Sequence, residues 1–130
     1  TLTNREAEDE RYSQTTSLQH AHPEINALYF TAGGVYGGCR AVLDAGRGKD
    51  MTIIANDMVE TTREYMESGL INATICQQPY IQGHKPLSLL FSYLTAGELP
   101  STEYHYVDVD IRIRENLPQS TPVYSYTTHS

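Results

Sequence analysis

The sequence has no tryptophan, only two cysteines and few basic residues, and each shortage excludes a class of protein. A disulfide-stapled fold would need more cysteines than Cys39 and Cys76, so we expect reduced thiols and a cytoplasmic location. No apolar run approaches the length of about 18 residues that a membrane span requires. Nine basic residues against sixteen acidic ones give a net charge of −7, which argues against binding of nucleic-acid phosphates by this segment.

What is present suffices for one packed domain. The chain has 130 residues, of which 39% are apolar and 19% charged. It begins at Thr1 without an initiator methionine or a basic-then-apolar leader, so we interpret it as an internal part of a longer protein. Residues 118–130 are rich in Ser, Thr, Pro and Tyr without periodicity, and they predict a tail compatible with disorder.

Short apolar segments alternate with segments of helical spacing. We predict strands at 25–30, 51–55, 73–76 and 103–114, and helices at 4–21, 35–45, 61–68 and 80–95. This alternation predicts an α/β fold with a mainly parallel sheet flanked by helices. The last strand alternates apolar and polar residues, which predicts one buried face.

Polar residues or glycines follow three of the predicted strands. They are Thr31 to Gly34, Asn56-Asp57 and Gln77-Gln78. In an open parallel sheet, ligands bind beyond the carboxyl ends of the strands, so we expect these groups at one edge. A carboxylate accepts hydrogen bonds from hydroxyls, an amide donates and accepts them, and glycine lets the backbone approach a ligand. The pattern favours a neutral polyhydroxy ligand.

A dinucleotide site is the competing interpretation of the glycine segment. Ala32-x-Gly34-x-x-Gly37 lies between a strand and a helix, and Asp57 follows Gly37 by twenty residues, as in a nucleotide-binding fingerprint. Ala32 stands where that fingerprint has its first glycine, and Tyr36 would crowd a pyrophosphate. A nucleotide-dependent enzyme stays open as an alternative.

Other chemistry has little support in the sequence. No serine-centred elbow or paired acids are present, and His84 and His105 have no evident nucleophile partner. His20-x-His22 lacks the neighbouring ligands of a metal site. We therefore expect no enzymatic activity, no catalytic residue, no cofactor and no metal.

Three segments together resemble a known family. Ile25–Gly34, Ile53–Asp57 and Gly69–Gly83 follow one another as in the effector-binding domain of LacI-family transcriptional regulators. The related periplasmic sugar-binding proteins share the same order. Leu87–Pro100 resembles that family's last long helix, and Tyr104–Leu117 its final strand. The resemblance covers about residues 4–117.

The resemblance implies a two-lobed domain that binds sugar in its cleft, the type I periplasmic-binding-protein-like fold. Residues 1–117 would be the C-terminal part of this domain and most of its second lobe, with the helix at 78–98 packed in the first lobe. It further implies a repressor in which a carbohydrate or polyol effector controls operator binding by a missing N-terminal helix-turn-helix. The helices from Val35 and from about Thr61 would contribute to a homodimer. A secreted sugar-binding protein of a transport system is the alternative within this fold.

The resemblance also assigns the ligand-binding residues. Asp57 matches the family's acid that binds sugar hydroxyls, and Gln77 matches the glutamine at the crossover between lobes. The family often has Asn where this chain has Ala32. Thr31 or the backbone of Gly33 would then supply that contact.

Overall fold

The computed structural model describes residues 4–31 and 33–118, which form two compact units. The first unit runs to Ile75 and includes the segment from Ile111 onward, and the second unit is Cys76–Asp110. Apart from Pro118, the predicted tail lies outside the described residues, and so does Ala32.

The strands form one sheet in the order β1-β2-β3-β4. They are β1 (Ala27–Phe30), β2 (Thr52–Asn56), β3 (Ala73–Cys76) and β4 (Asp110–Ile113). β1 pairs with β2 and β2 pairs with β3, both in parallel, with Phe30 opposite Ala55 and Ala55 opposite Thr74. The predicted α/β class with a mainly parallel sheet is therefore confirmed.

The helices lie between the strands, as the sequence predicts. They are α1 (Asn4–Ala21), α2 (Val35–Asp44), α3 (Glu60–Glu67) and α4 (Pro79–Ala96), with a short 3₁₀ turn at Arg114–Asn116. Pro79 stands in the first turn of α4, where its missing N–H costs nothing, and Gly97 ends the helix in the left-handed conformation. None of the helices in residues 4–31 and 33–118 is long and apolar enough to cross a membrane.

The core of the first unit lies between one face of the sheet and the apolar sides of α2 and α3. Alternate residues of β2, Ile53 and Ala55, point to this face and are fully buried there. Cys39 and Val42 of α2 and Met66 of α3 pack onto them, with none of their surface exposed. The helical spacing of the apolar residues in α2 produces this buried side.

The structure corrects the prediction for the last strand. Only Asp110–Ile113 is strand, whereas residues 104–109 have no regular structure. The predicted buried face is wrong, because Tyr106, Ile111 and Ile113 are 90%, 64% and 41% exposed. The apolar residues predicted to share one face belong to two opposite faces of a strand. Tyr104 and Tyr106 fall on even positions, and the valines and isoleucines fall on odd ones. A single strand cannot bury both sets.

The apolar side chains of α4 are exposed in the chain. Leu87, Leu90, Phe91 and Leu94 are each at least half exposed, and the helix has no buried residue. The helix itself is confirmed, whereas its packing in a first lobe stays a prediction.

Candidate functional site

The carboxyl ends of β1 and β2 are joined by the side chain of Asn56. Its Nδ2 donates to the backbone oxygen of Thr31 at 3.0 Å, and its Oδ1 accepts from the Tyr29 hydroxyl at 3.0 Å. Both polar ends of this amide are therefore used within the protein. The structure thus brings Thr31, which follows β1, beside the end of β2.

Asp57 follows Asn56 in an uncommon backbone conformation. Its φ is +65°, in the left-handed region that few residues other than glycine adopt. The Asp57 N–H donates to the oxygen of Ile75 at 2.8 Å, and its carbonyl accepts from the Thr74 hydroxyl at 2.9 Å. The side chain is exposed. The carboxylate is therefore open to solvent, while Thr74 and Ile75 of β3 hold the backbone of Asp57 in place.

The other predicted ligand-binding residues divide between the two units. Thr31 and Gly33 are exposed in the first unit, and among the described residues, chain neighbours aside, no heavy atom lies within 4 Å of the Cβ position of Gly33. Gln77 belongs to the second unit and is also exposed, with its backbone oxygen accepting from Gln82 Nε2 at 2.6 Å. Thr31 and Asp57 thus share one edge, while the role of Gln77 in binding stays a prediction.

The N-terminus of α2, where the competing fingerprint would hold a pyrophosphate, is covered by α1. The carboxylate of Glu8 accepts from the N–H of Gly37 at 2.5 Å. A Cβ on Gly37 would stand 2.0 Å from the backbone oxygen of Glu8, so only glycine allows this approach. Since a carboxylate already occupies the helix N-terminus, the arrangement disfavours a bound phosphate. Gly37 serves the packing of two helices.

A cavity of about 400 Å³ lies at the opposite, amino edge of the sheet, between α1 and the end of α2. Arg47, on its wall, donates to the oxygen of Ile25, which precedes β1. The Tyr12 hydroxyl, also on the wall, donates to Asp44 at 2.9 Å, and this bond raises the pKa of Tyr12. The cavity contains none of the predicted ligand-binding residues, so it is separate from the candidate site.

The titratable groups with the most strongly raised pKa, Cys39 in the core and Tyr65 packed against it, do not belong to the candidate site. Burial, reinforced by the charge of Glu8, raises the pKa of the Cys39 thiol to about 12. Burial likewise raises the pKa of Tyr65, to about 12. Cys39 is therefore a protonated core residue at neutral pH. Among residues 4–31 and 33–118, no group of three or more His, Cys, Asp or Glu is placed to hold a metal ion.

Sequence reasoning missed two residues that shape this edge. Asn56 was expected to face a ligand, but its amide is engaged by Tyr29 and Thr31. The sequence indicates Thr74 only as part of an apolar strand, whereas its buried hydroxyl bonds to the carbonyl of Asp57. A threonine within a buried strand was the available signal, because a buried hydroxyl must find a partner.

Residues 1–99 match the protein family described as periplasmic binding protein domain. Among solved structures, the chain is similar to GanP, a glucose-galactose binding protein from Geobacillus stearothermophilus. The identity is 25% and the TM-score 0.75, over 83% of this chain and 38% of that one. A periplasmic solute binding protein of an ABC transporter from Actinobacillus succinogenes, solved with D-allose, is 25% identical, with a TM-score of 0.73 over 82% of this chain and 37% of that one.

A third structure shows the same fold at lower identity. It is an ABC transporter solute binding protein from Agrobacterium vitis, solved with D-fucose, at 20% identity and a TM-score of 0.77 over 85% of this chain and 38% of that one. The chain thus spans less than two fifths of the length of these structures. The matches confirm the expected periplasmic-binding-protein-like fold. The narrower assignment to LacI-family regulators stays a prediction.

Proposed function

The chain belongs to the periplasmic binding protein domain family, and on that premise we propose that it supplies part of the sugar-binding site of a solute-binding protein in a transport system. The observation that carries the proposal is the exposed carboxylate of Asp57 beside Thr31 at the carboxyl edge of the sheet. Ligands of open α/β sheets bind at this edge. The two relatives at 25% identity are a glucose-galactose binding protein and a binding protein with D-allose.

The chemistry of Asp57 suits a neutral sugar. A carboxylate has two acceptor oxygens, and adjacent hydroxyls of a sugar ring can each donate to one of them. Hydrogen bonds to a charged acceptor are about twice as strong as neutral ones, which compensates for removing hydroxyls from water. Asp57 is therefore proposed as the acceptor for a pair of ligand hydroxyls.

Further contacts would come from neighbouring groups. Thr31 and the open backbone at Gly33 lie at the end of β1, where they can reach a ligand held by Asp57. Gln77 is proposed as a second polar contact on the basis of its match to the family. Asn56 is left out of the proposed contacts, since each end of its amide already makes one hydrogen bond, to Tyr29 and to Thr31. The remaining contacts would belong to the part of the relatives that this chain does not span.

The transport function makes predictions that the repressor does not. A LacI-type repressor would bind operator DNA as a homodimer in the cytoplasm, with an affinity that the sugar changes. A transport binding protein would bind sugar without any sequence-specific affinity for DNA. The predicted dimer and the predicted cytoplasmic location stay predictions.

The test is a thermal-shift screen of the full-length protein against glucose, galactose, allose and other sugars, with polyols and NAD as controls. A ligand at a hundred times its dissociation constant adds about 2.7 kcal/mol to the free energy of unfolding, which is readily detected. We expect a shift with at least one sugar and none with NAD. A shift with NAD alone would overturn the proposal. Capture of specific genomic DNA fragments, made weaker or stronger by the same sugar, would replace the transport function by the repressor.

A further inference from the structure

Asp57 stands at a position that the alternation of β2 would bury. Ile53 and Ala55 are completely buried on the face beneath the helices, and position 57 has the same parity. If the strand continued in extended form, the carboxylate of Asp57 would enter the core, where a charge without a partner is strongly unfavourable. The chain instead bends at Asp57, with a φ of +65°, and the side chain is exposed.

The bend is held from β3 by hydrogen bonds on both sides of the residue. The Asp57 N–H donates to Ile75 O at 2.8 Å, and the Asp57 carbonyl accepts from Thr74 Oγ1 at 2.9 Å. Thr74 is completely buried, and its hydroxyl also lies 3.2 Å from the oxygen of Ala55, its partner across the sheet. The single hydroxyl proton is thus shared between the last buried residue of β2 and the bend, with the shorter distance to Asp57.

We propose that Thr74 is a positioning residue for the ligand-binding site: its buried hydroxyl fixes the left-handed backbone of Asp57 and thereby keeps the carboxylate out of the core and at the ligand edge. Thr74 itself has no exposed surface, so it acts through Asp57 and does not touch the ligand. The proposal rests on the proposed function in one respect, that Asp57 is the residue that binds sugar.

Three variants of the full-length protein test this role. Thr74→Val keeps the shape of the side chain and removes the hydroxyl, whereas Thr74→Ser keeps the hydroxyl. Thr62→Val is the matched control, since Thr62 is also completely buried and its hydroxyl has no hydrogen-bond partner among the described residues. If Thr74→Val does not fold, Thr74→Cys, whose thiol is a weak donor, takes its place with the same expectations.

The first readout is the dissociation constant for the sugar that stabilises the parent, measured by calorimetry on variants that circular dichroism shows to be folded. We expect Thr74→Val to weaken binding by up to about tenfold, because a smaller fraction of the free protein then holds Asp57 in its binding conformation and the apparent affinity falls by that fraction. Thr74→Ser and Thr62→Val should bind as the parent does. Unchanged binding by Thr74→Val, or equal losses in the Val and Ser variants, would overturn the positioning role.

The second readout needs no ligand, and it separates this proposal from the proposed function. We expect Thr74→Val to speed hydrogen exchange of the Asp57 amide by about tenfold, because the bend opens more often without the hydroxyl. The amide of Val42, in the core of the same unit, should exchange faster by no more than the loss of global stability that urea denaturation of the variant gives. Equal exchange at Asp57 in parent and variant would overturn the positioning role even if sugar binds. Faster exchange in a protein that binds no sugar would support the positioning role and leave the proposed function refuted.

Discussion

Replacing Gly37 by alanine should destabilise the protein far more than a helical glycine normally would. The new Cβ would lie 2.0 Å from the backbone oxygen of Glu8, whereas an ordinary contact needs 3.4 Å or more. The helices α1 and α2 must therefore separate by more than an ångström. Overpacking of this kind costs about 1–3 kcal/mol. Losing the bond from the Gly37 N–H to the Glu8 carboxylate adds about 1.5–3 kcal/mol, and the better helix propensity of alanine returns about 1 kcal/mol.

The net expectation for Gly37→Ala is a loss of about 1.5–5 kcal/mol in the free energy of unfolding, measured by urea denaturation of the full-length protein followed by far-UV circular dichroism. Gly83→Ala is the matched control, because Gly83 lies within α4 and, apart from its own helix backbone and chain neighbours, no heavy atom of the described residues comes within 4 Å of its Cβ position. That variant should be as stable as the parent or more stable by about 1 kcal/mol. Equal stability of the two variants would refute the close packing of α1 on α2, and with it the argument that Glu8 closes the start of α2 to phosphate.

Three further predictions concern the core. Ile53→Ala should lower the free energy of unfolding by about 2–5 kcal/mol, since the side chain is completely buried. Thr52→Ala, on the exposed side of the same strand, should change it by about 0.5 kcal/mol or less. Equal losses would contradict the assignment of Ile53 to the buried face of β2 and of Thr52 to the exposed face. Cys39 should resist iodoacetamide until urea unfolds the protein, because burial raises the pKa of its thiol to about 12. Mass spectrometry of the native protein tests this, and rapid labelling at Cys39 would count against the burial. The folding equilibrium constant should fall by about tenfold between neutral pH and about pH 10. Above the pKa of 9.0 that the Cys39 thiol has in the unfolded chain, it ionises in the unfolded state only, and this favours unfolding. Cys39→Ala should remove that part of the pH dependence.

The regular elements of the first unit were predictable because local signals and burial agree there. Residues 73–76 were predicted as a strand with the bounds that the structure shows, and α1 also has its predicted bounds. Both carry clear signals, a short apolar run in one and carboxylates followed by a terminating proline in the other. The prediction of one strand with a buried face at 103–114 was wrong, because the apolar residues switch from even to odd positions between Tyr106 and Val107. Alternation alone does not show which of two interleaved sets has something to pack against.

The candidate site was predictable in its residue types but not in its geometry. The sequence places Asp57 and Thr31 after strands, and parallel pairing then puts them at one edge. It does not show that the amide of Asn56 bonds to Tyr29 and Thr31, because those bonds join residues more than twenty positions apart. Nor does it show the left-handed bend of Asp57, which depends on a hydroxyl of another strand. Such details follow from the tertiary structure.

The measurement that tests the central claim most directly is calorimetric titration of the full-length protein, with and without Asp57→Asn, with the sugar that the screen identifies. Asparagine keeps the size of the side chain and removes its charge, so binding should weaken by at least about tenfold, the loss of one hydrogen bond to a charged group. Asp50→Asn is the control, since Asp50 is an exposed carboxylate in the loop that precedes β2, at the other edge of the sheet. We predict that the Asp50 variant binds the sugar with the affinity of the unmodified protein and that the Asp57 variant binds it more weakly. Parent-like affinity in the Asp57 variant would contradict the assignment of this carboxylate as the acceptor for sugar hydroxyls.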